Sequence, residues 1–250
     1  MIFRQLFESS SATYTYLLAC AASREAVLID PVLDTVDRDR GVLEALGLSL
    51  RYTLETHIHA DHLTGAHKLK VLTGCQIAGP VMDGIACRDV GVEEGVALRV
   101  GAIEIQPLHT PGHTSTHFAY LVEHGPQPMV FTGDALLIDG CGRTDFQAGD
   151  ARTLYRSIHD KLFTLPDDTL VYPGHDYTQR FVSTIAQEKA RNPRLGEGRS
   201  EAEFVAIMAG LNLPKPVKMQ FAVPGNEKCG ICPPDVPAHL KGPCEVDKQG

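Results

Sequence analysis

The stretch TLETHIHADHLTGAHKLK, residues 53–70, packs four histidines and an aspartate into a short span. LRYTLET (50–56) reads as a strand running into it, and LTGAHKLKVL (63–72) reads as a helix running out. A chain still extended as it leaves the strand puts alternate side chains on one side. His57, His59 and Asp61 then converge, while His62 follows into the helix. Three donors at alternate positions are a metal-ligand pattern. The ordinary alternatives, a histidine-rich surface loop or hydrogen-bonded core histidines, account poorly for an aspartate interleaved at a strand's end.

Three further segments repeat the arrangement of strand, small-residue turn and potential ligand. IEIQPLHTPGHTSTHFAYLV (103–122) presents His113 after a Pro-Gly turn, MVFTGDALL (129–137) ends a strand at Asp134, and TLVYPGHDYTQ (169–179) ends one at His175. Each alone is weak, since TGD is often a plain turn. Four strand ends delivering His or Asp are what a metal site at the rim of packed sheets requires.

The rest of the chain alternates elements. Residues 2–7, 13–19, 25–30, 96–108, 117–133 and 169–173 read as strands, and 34–48, 151–163 and 201–211 as helices. With 250 residues and no break in composition, one domain spanning 1–250 is expected, with a Cys- and Pro-containing tail from about residue 225. A net charge of −8 argues against nucleic acid as partner. No apolar run approaches the roughly 18 residues of a membrane span. The N-terminus lacks a basic leader with an apolar core, which points to the cytoplasm. Seven irregularly spaced cysteines suggest reduced thiols.

In this order and spacing, THIHADH, TPGHT, TGDALL and YPGHDY resemble the metallo-β-lactamase superfamily. The resemblance implies an α/β fold, an αββα sandwich of two mixed sheets with helices on the outer faces and metal at one edge. Because the superfamily hosts many reactions, fold alone leaves function open. TGDALLIDGCGRTDFQAGD (132–150), HDYTQRFVSTIAQEKARNPRL (175–195) and LNLPKP (211–216) resemble the persulfide dioxygenases, also called sulfur dioxygenases. That similarity runs from about residue 2 to about residue 230.

The family resemblance implies one mononuclear Fe(II) held by His57, His113 and Asp134, a two-histidine, one-carboxylate set that leaves positions open for a co-substrate and O2. His59, Asp61, His62 and His175, ligands in two-zinc hydrolases, would then orient the ligands or bind water. The implied reaction oxidises glutathione persulfide with O2 and water to sulfite and glutathione, and family members suggest a homodimer. Arg143 and Tyr177 are the candidate catalytic and substrate-binding residues, with Cys141 and Asp145 as further substrate contacts. Arg143 has a competing reading as an ion pair with Asp145, Tyr177 as a packed ring, and Cys141 as a small buried hydrophobe. Asp30 is expected to brace the metal loop through backbone amides.

The chain departs from the superfamily pattern after TPGHT, where STHFAY brings an extra His117, read here as structural. It also carries a CGIC tail whose Cys229 and Cys232, with Cys244 and His239, could form a zinc site; incidental surface thiols are the alternative. Two rival functions stay open. All seven superfamily ligand positions are present, so a glyoxalase II-like thioester hydrolase with two metals is conceivable. The other is a non-enzymatic sulfane-sulfur or metal sensor using the tail thiols.

Overall fold

The computed structural model of the chain describes residues 1–234 and 236. Six strands form the first sheet in sequence order: β1 (Ile2–Glu8), β2 (Thr13–Ala19), β3 (Glu25–Ile29), β4 (Ser49–Leu54), β5 (Gln76–Pro80) and β6 (Val90–Val92). Its first pairings are antiparallel and its last three parallel. The parallel steps from β3 to β4 and from β4 to β5 are bridged by α1 (Val36–Ala45) and α2 (Ala66–Thr73). The second sheet contains β7 (Leu98–Val100), β8 (Ile103–His109), β9 (Phe118–Val122) and β10 (Met129–Gly133). A short hairpin, β11 (Leu136–Leu137) and β12 (Gly140–Cys141), stands apart. Beyond it, β13 (Leu170–Pro173) and β14 (Ser183–Thr184) complete the second sheet in the order β14-β13-β10-β9-β8-β7. The remaining helices are α3 (Ala151–Ser157), α4 (Ile185–Arg191), α5 (Glu201–Ala209) and α6 (Met219–Asn226).

Alternation along the strands builds the layers. Tyr14, Tyr16, Leu18, Val27 and Ile29 of the first sheet meet Phe118, Tyr120, Phe131 and Tyr172 of the second in one core. The intervening residues Leu17, Ala19, Ala26 and Leu28 face the other way, onto Val36, Leu43 and Leu69 of α1 and α2. In the second sheet Ala119, Leu121, Val130 and Val171 turn outward onto Leu154, Ile185 and Phe204 of α3, α4 and α5. Strands covered on both faces carry near-continuous apolar runs, which explains why TYTYLLA is buried throughout. The result is the expected αββα sandwich of two mixed sheets.

Some elements differ from the sequence reading. The run 96–108 is the hairpin β7–β8, turning at Gly101 with φ +56°. A side chain there would also meet Cys20 and Ser23. The run 117–133 is likewise two strands, β9 and β10. β5, β6, β14, α4 and α6 were not anticipated; α6 contains Pro224 and Gly225, which read as helix breakers.

The expectation of reduced cysteines is corrected. Cys87 and Cys229 are joined by a disulfide with Cα atoms 6.2 Å apart, whereas Cys20, Cys75 and Cys141 are free and buried. The partners lie 142 residues apart in sequence, so only folding brings them together. A zinc site using Cys229 falls with it, because a disulfide sulfur offers no thiolate; Cys244 and His239 lie outside the described residues. No described helix is long and apolar enough to cross a membrane.

Candidate metal centre

The site forms where β4, β8, β10 and β13 end along one edge of the sandwich. β4 stops at Leu54, so period-two placement no longer governs the residues after it. Hydrogen bonds to Asp30, at the end of β3, direct the turn instead. The Thr56 amide donates to Asp30 Oδ1 (2.7 Å) and the Thr56 hydroxyl to Oδ2 (2.8 Å). With its proton committed, that hydroxyl accepts from His57 Nδ1–H at 2.9 Å, which leaves the Nε2 lone pair of His57 free. Burial, followed by the neighbouring imidazoles His59, His113 and His117, holds the His57 pKa well below the ordinary histidine value and keeps the ring neutral.

His113 is oriented by the same logic. Its Nδ1–H donates to the Arg143 carbonyl at 2.7 Å, and its Nε2 lies 3.6 Å from Asp134 Oδ2. One donor atom from each of His57, His113 and Asp134 falls within 4.8 Å of the others. Gly142 makes room for this: a Cβ there would drive into the Asp134 carbonyl and lie 2.9 Å from His113 Nδ1. Burial opposes charge on Asp134, but His175 outweighs it and holds the carboxylate well below its ordinary value. Two imidazoles that each commit Nδ1 to a hydrogen bond and turn Nε2 inward, with one carboxylate, fit a divalent transition metal such as iron.

Of the other four expected residues, Asp61, His62 and His175 pair with one another, and His59 pairs elsewhere. His175 bridges Asp134 Oδ1 (2.6 Å, from Nδ1) and Asp61 Oδ2 (2.9 Å, from Nε2). His62 Nδ1 lies 3.2 Å from the same Asp61 oxygen. Both His175 carboxylate partners raise its pKa well above the ordinary value, against the effect of burial. His59 turns toward Asp30 (3.2 Å) and Glu55 (3.5 Å); burial opposes its charge, but these carboxylates lift its pKa to about 10. The donor atoms of His59, Asp61 and His62 form a second close group. His67, the last histidine of the opening stretch, sits on α2 and joins none of these groups.

Two residues hold the site in ways the sequence did not disclose. His117 is fully buried, and its Nε2 accepts the Asp134 amide at 3.1 Å while its Nδ1 pairs with the Thr110 hydroxyl at 2.8 Å. One ring thus ties the loop carrying His113 to the turn carrying Asp134. Its departure from TPGHT's usual sequel was the only signal. Asn226, at the end of α6, donates to the carbonyls of His59 and His62 (2.8 Å each) and accepts from the Thr64 amide (2.9 Å). No motif announces a contact across 160 residues or more.

The donors open into a cleft of about 770 Å³, with Arg143, Tyr177, Arg180, Arg194, Lys215 and Lys218 on its walls. Arg143 donates to both oxygens of Asp145 (2.7 and 2.8 Å) and to the carbonyls of Pro214 and Leu213 (2.7 and 3.2 Å), stacking 4.2 Å from the Phe146 ring. This is the ion-pair arrangement, and it occupies Asp145 as well. Tyr177 is 78% exposed at the mouth, its ring parallel to His175 at 6.3 Å, so the packed-ring reading is corrected. Cys141 is buried 3.7 Å from Met208 Sδ, and burial pushes its thiol up to about 11, too high for a nucleophile at neutral pH.

Residues 11–175 match the family model described as the Metallo-beta-lactamase superfamily. The chain is 50% identical to the human protein named "Persulfide dioxygenase ETHE1, mitochondrial", over 94% of this chain and 91% of that one. The crystal structure of ETHE1 from Myxococcus xanthus has a TM-score of 0.88 and 52% identity, covering 92% of this chain and all of that one. A hydroxyacylglutathione hydrolase from Polaromonas is 38% identical over 70% of this chain and 66% of its own length. The chain therefore belongs to the metallo-beta-lactamase superfamily and, within it, to the persulfide dioxygenase family.

Proposed function

We propose that this protein is a persulfide dioxygenase that oxidises glutathione persulfide with O2 and water to sulfite and glutathione, using one ferrous iron held by His57, His113 and Asp134. The observation that carries the metal assignment is the gathering of one donor atom from each of His57, His113 and Asp134 within 4.8 Å, both imidazoles having Nδ1 committed elsewhere. Iron bound there supplies the one-electron steps that triplet oxygen needs. The balance is simple: a persulfide anion, O2 and water give a thiol and hydrogen sulfite, with the sulfur–sulfur bond broken.

The chain's own groups have distinct tasks in this reading. His175 Nδ1–H holds Asp134 Oδ1, so Oδ2, the oxygen facing His113, would be the one available to hold the metal. Lys215 on the cleft wall suits a carboxylate of a glutathione moiety, and Tyr177 offers its hydroxyl at the mouth. Arg143 positions His113 through its carbonyl and shapes the wall through Asp145, so its contribution to binding is indirect. Cys141 stays a thiol beside the cleft.

The 50% identity to a persulfide dioxygenase over 94% of the chain, against 38% over 70% for a hydroxyacylglutathione hydrolase, supports the dioxygenase over the two-metal thioester hydrolase. The Cys229 disulfide counts against a sensor built on free tail thiols. As parts of the same reading, we place the protein in the cytoplasm as a single-domain subunit of a homodimer, acting on small molecules rather than on nucleic acid or a membrane.

The test is oxygen uptake by iron-loaded protein given glutathione persulfide, with sulfite assayed in the same sample and a zinc-loaded sample beside it. Uptake matched by sulfite, with iron only, is the expected result. Thioester hydrolysis by the zinc form without uptake would overturn the reading.

A further inference from the structure

We propose that Cys87 and Cys229 form a redox modification site for a small anionic thiol of the glutathione class, and that opening their disulfide loosens the loop carrying His57, His59, Asp61 and His62. Cys87 lies partly exposed in the turn between β5 and β6, whereas Cys229 is buried just past α6. An incoming thiolate therefore reaches the Cys87 sulfur, forming a mixed disulfide and releasing Cys229 as thiolate, which takes up a proton. A second thiol then attacks the mixed disulfide, leaving Cys87 as a thiol and releasing the oxidised dimer of the small thiol. Two thiols are oxidised as one protein disulfide is reduced. Arg88 lines the same cavity as Cys229, and positive charge there favours both an anionic attacker and a thiolate leaving group.

The coupling to the metal loop is direct. The Cys229 carbonyl accepts the His67 amide at 3.0 Å, and Gly230 packs against the Thr64 carbonyl with φ +87°, where a Cβ would clash. Three residues before Cys229, Asn226 holds the His59 and His62 carbonyls and the Thr64 amide. The disulfide pins this whole segment to the first sheet's edge, and a narrow cavity there is lined by Cys229, Asn226, Glu55 and the donor His57 together. The site itself stands on this geometry; the supply of glutathione rests on the proposed reaction, which releases it.

The experiment uses the full chain loaded anaerobically with Fe(II), held in oxidised glutathione, reduced glutathione or dithiothreitol. Peptide mass mapping reads the state of Cys87 and Cys229, a ferrous chelator reads iron loss, and hydrogen exchange reads residues 59–64. Reduced glutathione is expected to open the bond, speed iron loss about tenfold and accelerate exchange at 59–64. Cys87→Ala should lose iron at the fast rate in all three buffers, with a thermal scan confirming that it folds. The proposal is overturned if glutathione leaves the bond closed, if it opens with iron loss and exchange unchanged, or if iron loss from Cys87→Ala still rises with glutathione. None of these readouts requires turnover, so a protein without dioxygenase activity could still pass, and an active one could fail.

Discussion

His57, His113 and Asp134 arrive from three different loops, and at the scale of single residues the question is what keeps their donor atoms within reach of one ion. His117 answers part of it, since its ring meets Thr110 on one side and the Asp134 amide on the other. The amide must donate, so Nε2 must be the acceptor, which fixes the tautomer with the proton on Nδ1. His117→Leu should therefore lower iron affinity by about 10- to 100-fold, while His117→Gln, which keeps an acceptor near that position, recovers much of it. Iron retained after dialysis against a chelator, read beside the thermal midpoint, separates this from simple unfolding. Gly142→Ala should also empty the site, because the added Cβ meets the Asp134 carbonyl and His113 Nδ1; an iron-replete variant would show that the turn can yield. The donors themselves were legible because their chemistry lies in residue type and local order. Asn226 and the role of His117 were not, because a buried hydrogen bond between distant segments leaves no local pattern.

Among the elements, the turn joining β1 to β2 lines the cleft through Ser10 and Ser11, and the short helix α6 holds the metal loop through Asn226. Glu8 closes the turn by accepting from the Ser10 amide (2.7 Å) and from the Ser11 amide (2.8 Å) and hydroxyl (2.5 Å). Burial opposes its charge, but these bonds win and pull its pKa from 4.5 to about 2. A depressed carboxylate pKa means that the unfolded chain takes up the proton first. Glu8 thus stabilises the fold above its ordinary range and loses that contribution as pH falls from 4.5 toward 2. Glu8→Gln should flatten the pH dependence of stability across that window; an unchanged slope would remove Glu8 from the account. On α6, Asn226→Ala leaves two carbonyls and an amide of the metal loop without their partner and should destabilise the protein by about 2–3 kcal/mol in urea unfolding. Strand and helix periods revealed the long elements; β7 and β8 read as one strand because only Gly101 and Ala102 separate them, whereas the polar stretch EHGPQP between β9 and β10 carried a turn signal that the apolar flanks overrode. α6 stayed hidden because Pro224 and Gly225 argue locally against a helix that packing of Phe221 and Ala222 sustains.

For the whole molecule, direct hydrogen bonds tie the two sheets together at the end where the donors gather. The Tyr16 hydroxyl of the first sheet donates to the Pro173 carbonyl of the second at 2.6 Å, and the Tyr14 amide donates to the Gly174 carbonyl at 2.8 Å. Gly174 in turn donates to the Gly133 carbonyl at 2.7 Å, so the residues before His175 and Asp134 are fixed by a contact that also closes the sandwich. Strand alternation made the two-sheet architecture legible once the motif resemblance supplied the pairing of layers; this inter-sheet seam was not, since it depends on three segments meeting. A site built at such a seam couples metal binding to global stability, because the unfolded chain scatters His57, His113 and Asp134 and cannot offer them together. Ligand that binds only the folded state stabilises it by about 2.7 kcal/mol when free metal is a hundredfold above its dissociation constant. Stripping iron should therefore lower the thermal midpoint, restoring it should raise the midpoint in a concentration-dependent way, and His113→Ala should show neither response. A His113→Ala protein whose midpoint still climbs with added Fe(II) would move the stabilising ion to another group of donors, such as His59, Asp61 and His62 or Asp30, Glu55 and His59.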